Sequence, residues 1–198
     1  EIGGVDIPSG FPAPFLIPQR PIFISGNYVY VVAGNDTTGT GCSPTDSSLC
    51  EFFIFDISTS TPSYVNGVDL GASGNSIYVS GRYAYVVKND GGVTGVFIIY
   101  DISNPSSIAT TSATDLGGVC GLSIFVSGRY AYVGTCTAAG NDFNIYDVSN
   151  PANPILVGGA ETAYVNSIHV SGRYAYIRTS ISSNDFRILD ISNPSNPI

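Results

Sequence analysis

The chain has one lysine, Lys88, and one histidine, His169. Charged residues make up only 11% of its 198 positions, and the formal net charge is −8. An acidic chain with so few cations lacks the basic face that phosphate-backbone binding needs, so nucleic acid is not an expected partner. No apolar run reaches membrane-spanning length, so no membrane insertion is expected, and no signal-peptide pattern is visible. Helical periodicity is missing as well. So are a Gly-x-Ser-x-Gly elbow, a phosphate-binding loop and a histidine-containing metal motif, which removes the readiest signatures of catalysis. The chain begins at Glu1 rather than Met and reads as a processed protein or a segment of a longer one.

What the chain does have is a repeat. Ser-Gly-Arg-Tyr-Ala-Tyr occurs at Ser80–Tyr85, Ser127–Tyr132 and Ser171–Tyr176, with a variant at Ser25–Tyr30. A second signature follows each copy, beginning at Phe55-Asp56, Tyr100-Asp101, Tyr146-Asp147 and Leu189-Asp190. The Asp steps are 45, 46 and 43 residues. The first unit carries an insertion between its two signatures. Each Ser-Gly sits between β-rich runs and reads as a hairpin turn. A third run ends at the Asp, and an Asn-Pro segment then stops the ladder, because proline has no N–H to give. A fourth run, as at Ile155–Val157, completes the unit. Four short strands per period of this length predict a β-propeller of four blades. The alternation Tyr83/Tyr85 against Ala84/Val86 puts large side chains on one face and small ones on the other, as sheets stacked on both sides require.

The expected organisation is one domain, residues 1–198, with blades near 22–70, 75–117, 120–160 and 165–198. Residues 1–8 are a closing or donor strand, and 9–21 a Pro-rich connector or docking segment. Glu1-Ile2-Gly3-Gly4-Val5 resembles Leu156-Val157-Gly158-Gly159-Ala160, an outer strand. The chain stops at Ile198, where the copy at Ile155 continues into that strand. Ile2, Val5 and Ile198 are therefore the expected assembly residues. The last blade is expected to be completed by the N-terminal strand of the same chain or of a neighbouring one, or by the rest of a larger propeller.

Cys120 and Cys136 are equidistant from the hairpin residue Gly128, so they face each other or miss by one residue on paired strands. Cys42 and Cys50 both lie in the first-unit insertion and can close a small loop. Those two disulfides would place the protein outside the cytoplasm; the alternative is four reduced, buried thiols. Asn35-Asp36-Thr37 is a glycosylation acceptor pattern in a polar loop.

Residues present in every unit are read as structural. Asp56, Asp101, Asp147 and Asp190 are expected to accept from backbone N–H groups of the following turn, with a carboxylate ring as the alternative. Arg82, Arg129 and Arg173 read as exposed turn residues rather than a ligand ring. The turns at Asn89–Gly92, Gly140–Asp142 and Ser183–Asp185 do not space their acids as a calcium loop does. A site should break the symmetry. His169 stands where Phe23, Tyr78 and Phe125 stand and reads as a packing residue rather than a base. Arg178, Arg187 and Glu161 are the other deviations, and no two acids are spaced for paired-carboxylate hydrolysis. No catalytic residue, metal or cofactor is assigned.

The Ser-Gly-x-Tyr-Ala-Tyr-Val hairpin followed by Asp-Ile-Ser-Asn-Pro resembles the LVIVD repeat family over most of residues 22–198. The first unit lacks the Asn-Pro, and the second lacks the following proline. The resemblance implies a β-propeller in secreted or cell-surface proteins, with an interaction or structural role and no common catalytic set. The expectation is therefore an extracellular, non-catalytic glycoprotein module whose partners are further copies of itself, as a homo-oligomer or filament. The alternatives are a glycan or other surface-ligand module and, third, a polysaccharide-acting enzyme.

Overall fold

The computed structural model describes residues 22–34, 42, 50–89, 95–136, 140–180 and 185–198. They form strands alone, in four antiparallel sheets taken in chain order. The first holds β1 (Ile22–Ser25), β2 (Tyr28–Val32), β3 (Phe52–Asp56) and β4 (Ser63–Val68). The second holds β5 (Ser73–Ser80), β6 (Tyr83–Asn89), β7 (Gly95–Asp101) and β8 (Ala109–Asp115). The third holds β9 (Cys120–Ser127), β10 (Tyr130–Cys136), β11 (Phe143–Asp147) and β12 (Ile155–Ala160). The fourth has three strands, β13 (Val165–Ser171), β14 (Tyr174–Thr179) and β15 (Phe186–Asp190). The first strands pack on one another from sheet to sheet, β1 on β5, β5 on β9 and β9 on β13. They form the inner wall of a propeller-like arc.

Each sheet starts with the same turn. Gly26, Gly81, Gly128 and Gly172 all have φ near +58°. The residue after each does not share that sign, which is the two-residue turn with glycine at its first central position. No side chain is comfortable there. The Asp of the second signature ends the third strand beside that turn, paired with the Tyr that follows it. Its Oδ1 accepts from the amide of the Ser two residues on, at 2.7 Å in the first sheet and 2.9 Å in the other three. The Asn of each Asn-Pro accepts twice. Asn150 takes the Ala152 amide on its side chain at 3.3 Å and the Asn153 amide on its carbonyl at 3.0 Å. That turn seats proline at its second position, where φ is already correct.

The hairpins are not regular ladders. Asn75, Leu122 and Asn166 are each an extra residue in the inner strand, opposite a single step of the partner. Such bulges increase local twist. The bulge at Leu122 also settles the cysteine register. Cys120 pairs directly with Cys136, and the two form a disulfide with Cα atoms 5.3 Å apart. Cys42 and Cys50 form the other, at 4.9 Å. No described cysteine is free.

The core lies between sheets. One face of each sheet carries the larger side chains, such as Phe97 and Tyr85, and leads onto the next. There it meets the smaller ones, such as Ile124, Val126 and Ala131. The same pairing joins the first sheet to the second and the third to the fourth. At these interfaces a large ring sits over the next sheet, Phe52 on Tyr100 and Phe97 on Tyr146, both at 5.5 Å between centroids. Polar links cross as well. The bulged Asn75 donates to the Gly121 carbonyl at 2.6 Å, and Ser123 donates to that of Val165 at 2.8 Å. Gly158 lies so close to the backbone of Pro194 and Ser195 that a Cβ would overlap it. The outer strand of the third sheet thus packs on the Asn-Pro turn of the fourth. Among the described residues no apolar cluster joins the fourth sheet to the first.

The repeat sets up a direct comparison. Phe143 is fully buried and Phe186, at the same place in the fourth sheet, is exposed. Phe143→Ala should cost about 3–5 kcal/mol in urea denaturation. Phe186→Ala should change stability of the dilute chain by less than about 0.5 kcal/mol. Equal losses would contradict this packing.

Candidate functional site

The symmetry breaks most plainly at the fourth sheet's outer edge. In the third sheet Ile155 pairs with Asp147 and the strand runs on to Ala160. In the fourth, Ile198 takes the place of Ile155. Its amide donates to the Asp190 carbonyl at 3.2 Å, and its carbonyl accepts from the Asp190 amide at 2.6 Å. No partner strand is described for the rest of β15, Phe186 to Leu189, on that side. A strand edge of this kind is a template for another strand. Of the expected assembly residues, Ile198 therefore sits on the edge. Ile2 and Val5 lie outside the described residues, as do the Pro-rich connector and Asn35.

The repeated charged residues turn out to be joined. Arg82 pairs with Asp101, Arg129 with Asp147 and Arg173 with Asp190. The turn arginine thus reaches the aspartate that ends the neighbouring third strand. Each guanidinium also sits over the next tyrosine ring, at 5.1–5.5 Å. The first sheet has Asn27 instead and no such pair. The pairing was missed in the sequence, although Arg and Asp recur together in three units. It uses both carboxylate oxygens, one for Arg and one for the Ser amide, and leaves a structural clasp rather than a ligand ring. The Ser hydrogen bonds come first in holding Asp56 and Asp190 below the usual carboxylate value. For Asp101 the Ser103 amide leads, and for Asp147 the Arg129 guanidinium leads.

His169 does stand in an aromatic row. Phe23, Tyr78, Phe125 and His169 contact in sequence, at 4.8, 4.9 and 5.2 Å between centroids. It occupies the packing position and is exposed, with no further sheet over it among the described residues. Arg178 lies opposite Phe186 on the same face, whereas Arg187 pairs with Ile177 and Glu161 is an exposed linker residue. His169 and Arg178 thus share one face of the fourth sheet, and Arg187 lies on the other. Among the described residues no three metal-ligating side chains converge.

Two buried acids hold links between sheets. The Asp142 carboxylate accepts from the Ala163 amide at 2.8 Å and from that of Thr162 at 3.4 Å. The Glu51 carboxylate accepts from the Leu70 amide at 2.7 Å and is 2% exposed. Burial is the main cause that pushes its pKa up to about 7; Asp69 adds to this, while the Leu70 amide and Lys88 oppose it. A shallow cleft of about 340 Å³ lies between the second and third sheets, lined by Asp115, Asn141 and Asn144 among others. Tyr146 borders it but is itself buried, so it offers no stacking platform.

A family model described as LVIVD repeat matches residues 20–37, 71–114, 121–162 and 163–198. No curated protein matches. Among solved structures, the designed protein Ika8 is similar at 11% identity with a TM-score of 0.57, over 86% of this chain and 45% of that one. The designed protein Ika4 is similar at 10% identity and 0.61, over 96% and 97%. A Bacteroides uniformis protein that carries the name 6-phosphogluconolactonase is similar at 15% and 0.67, over 89% and 51%. The chain spans about half the length of the first and the last of these. At such identities the likeness bears on the fold alone.

The buried acid makes stability depend on pH with a definite sign. The folded chain holds the Glu51 proton up to about pH 7, but an unfolded glutamate releases it near 4.5. Its contribution is therefore fully present below 4.5 and lost as pH rises through about 7. The lowered aspartates act the other way, losing their contribution as pH falls below their ordinary 3.8. Denaturation midpoints should fall between about pH 4.5 and 7, and Glu51→Gln should flatten that fall. An unchanged slope in the variant would contradict the assignment.

Proposed function

We propose, from the premise that this chain belongs to the LVIVD repeat family, that it is a non-catalytic extracellular module whose work is structural and whose main partner is itself. One observation carries this reading. Ile198 bonds Asp190 in the register in which Ile155 pairs with Asp147, no partner strand is described beside Phe186–Leu189, and Glu1–Val5 has the residue pattern of β12. Ile198 stands for Ile155, so Glu1 stands for Leu156 and Gly3 for Gly158. Gly158 is a place where the neighbouring backbone leaves no room for a Cβ. A strand donated from another copy would satisfy the free amides and carbonyls of β15. Such a contact joins different surfaces and so propagates head to tail.

Two disulfides fit an oxidising compartment, which supports a secreted or cell-surface setting. The polar stretch with Asn35 fits a glycoprotein in that setting. The second reading, a glycan-binding module, rests on the cleft with its aspartate and two asparagines. It lacks the exposed aromatic ring that stacks on sugars.

Deleting residues 1–8 tests the first reading. The expected outcome is a folded chain that no longer assembles, seen by sedimentation and electron microscopy. Assemblies that survive the deletion would contradict it. Saturable binding of a glycan panel by a chain that never assembles would favour the second.

A further inference from the structure

The repeat allows the two end faces to be compared, position by position, with three completed interfaces. On the leading side Phe52, Phe97 and Phe143 are 0% exposed, as are Ile54, Ile99 and Ile145. Their counterparts in the fourth sheet, Phe186 and Ile188, are 65% and 53% exposed. On the trailing side Ile77, Ile124 and Ile168 are 0% exposed, and Val79, Val126 and Val170 at most 8%. Their counterparts in the first sheet, Ile22 and Ile24, are 55% and 61% exposed. The bare positions are the two halves of one interface that the chain builds three times. Around Phe186 and Ile188 lie Tyr174, also exposed, and His169 at the end of the aromatic row. Arg178, beside Phe186, bounds the patch. On the first sheet the outer part of the trailing face is already closed. Phe53 and Phe55 pack there with Tyr64 and the cysteines Cys42 and Cys50. The bare part is its inner strand.

We propose that the leading face of the fourth sheet docks on the inner trailing face of the first sheet of a second copy. This rests on the self-assembly reading above and adds a sheet-to-sheet surface to the strand edge. Complementarity argues for a copy rather than a foreign partner. The patch that needs a trailing face and the patch that needs a leading face occur on the same molecule, and isoleucine or valine fills the trailing positions in all four units. The described residues argue against closure within one chain, since they form an arc in which the two faces do not meet. Exposed apolar residues scattered singly need no account, but contiguous ones on matching faces do.

The test uses the full chain and two exposed-face variants. One is Phe186→Glu with Ile188→Glu, and the other is Ile22→Glu with Ile24→Glu. Both change exposed positions, so each should stay folded, which circular dichroism checks. Sedimentation velocity over a concentration series should find the wild type associating and each variant monomeric. Mixed one to one, the variants should form a two-chain species and nothing larger, because one intact leading face meets one intact trailing face. Association of either variant by itself would mean that the faces are not needed to hold copies together, and would overturn the proposal. So would a wild type that stays monomeric throughout. The residue 1–8 deletion separates the two contacts: loss of assembly there but not in the face variants would leave the strand edge standing and remove the face.

Discussion

Large side chains of one sheet set into the small ones of the next is the interaction on which everything else here depends. No single sheet of this chain could stand alone, because both of its faces are apolar and each buries only when a neighbour covers it. The order of sheets, the short links and the aromatic row along the inner wall are consequences of stacking units of one shape. Polar groups follow the same plan. Asn75, Ser123, Asp142 and Glu51 each make a hydrogen bond across a junction between sheets. The structure is cohesive along the direction of stacking, as repeat architectures are.

An array of that kind has a difficulty at its ends. The interface that stabilises every internal sheet leaves one unpaired half at each terminus, together with an open strand edge. Repeat proteins answer this with altered terminal units, with closure or with assembly. Here the first sheet is altered in part: its insertion brings Cys42 and Cys50 against Phe53 and Phe55. The fourth sheet has no comparable cover among the described residues. This asymmetry is why the functional reading points to the ends of the arc and not to any cleft.

Much of this was legible in the sequence. The hairpin glycines, the Asp–Ser turns and the four-strand period follow from local chemistry that short motifs encode directly. His169 was readable as a packing residue because three aromatic counterparts define its position. Other features depend on register or on contacts between units, and short motifs do not show them. The bulge at Leu122 is what brings Cys120 opposite Cys136, and equal spacing from Gly128 agreed with that pairing without revealing the extra residue. The Arg–Asp clasp needs two residues some 18 positions apart to be seen across one hairpin. The buried role of Glu51 needs the link to Leu70. The bare end faces become visible only when burial is compared position by position between equivalent sheets.

The most direct test of the central claim is electron cryomicroscopy of the native protein at a concentration where it associates. The account predicts particles or fibres in which the fourth sheet carries a fourth strand supplied by a neighbouring molecule, with Phe186 and Ile188 buried against that neighbour's first sheet. Isolated four-sheet particles, with their ends closed on themselves or left bare, would contradict it.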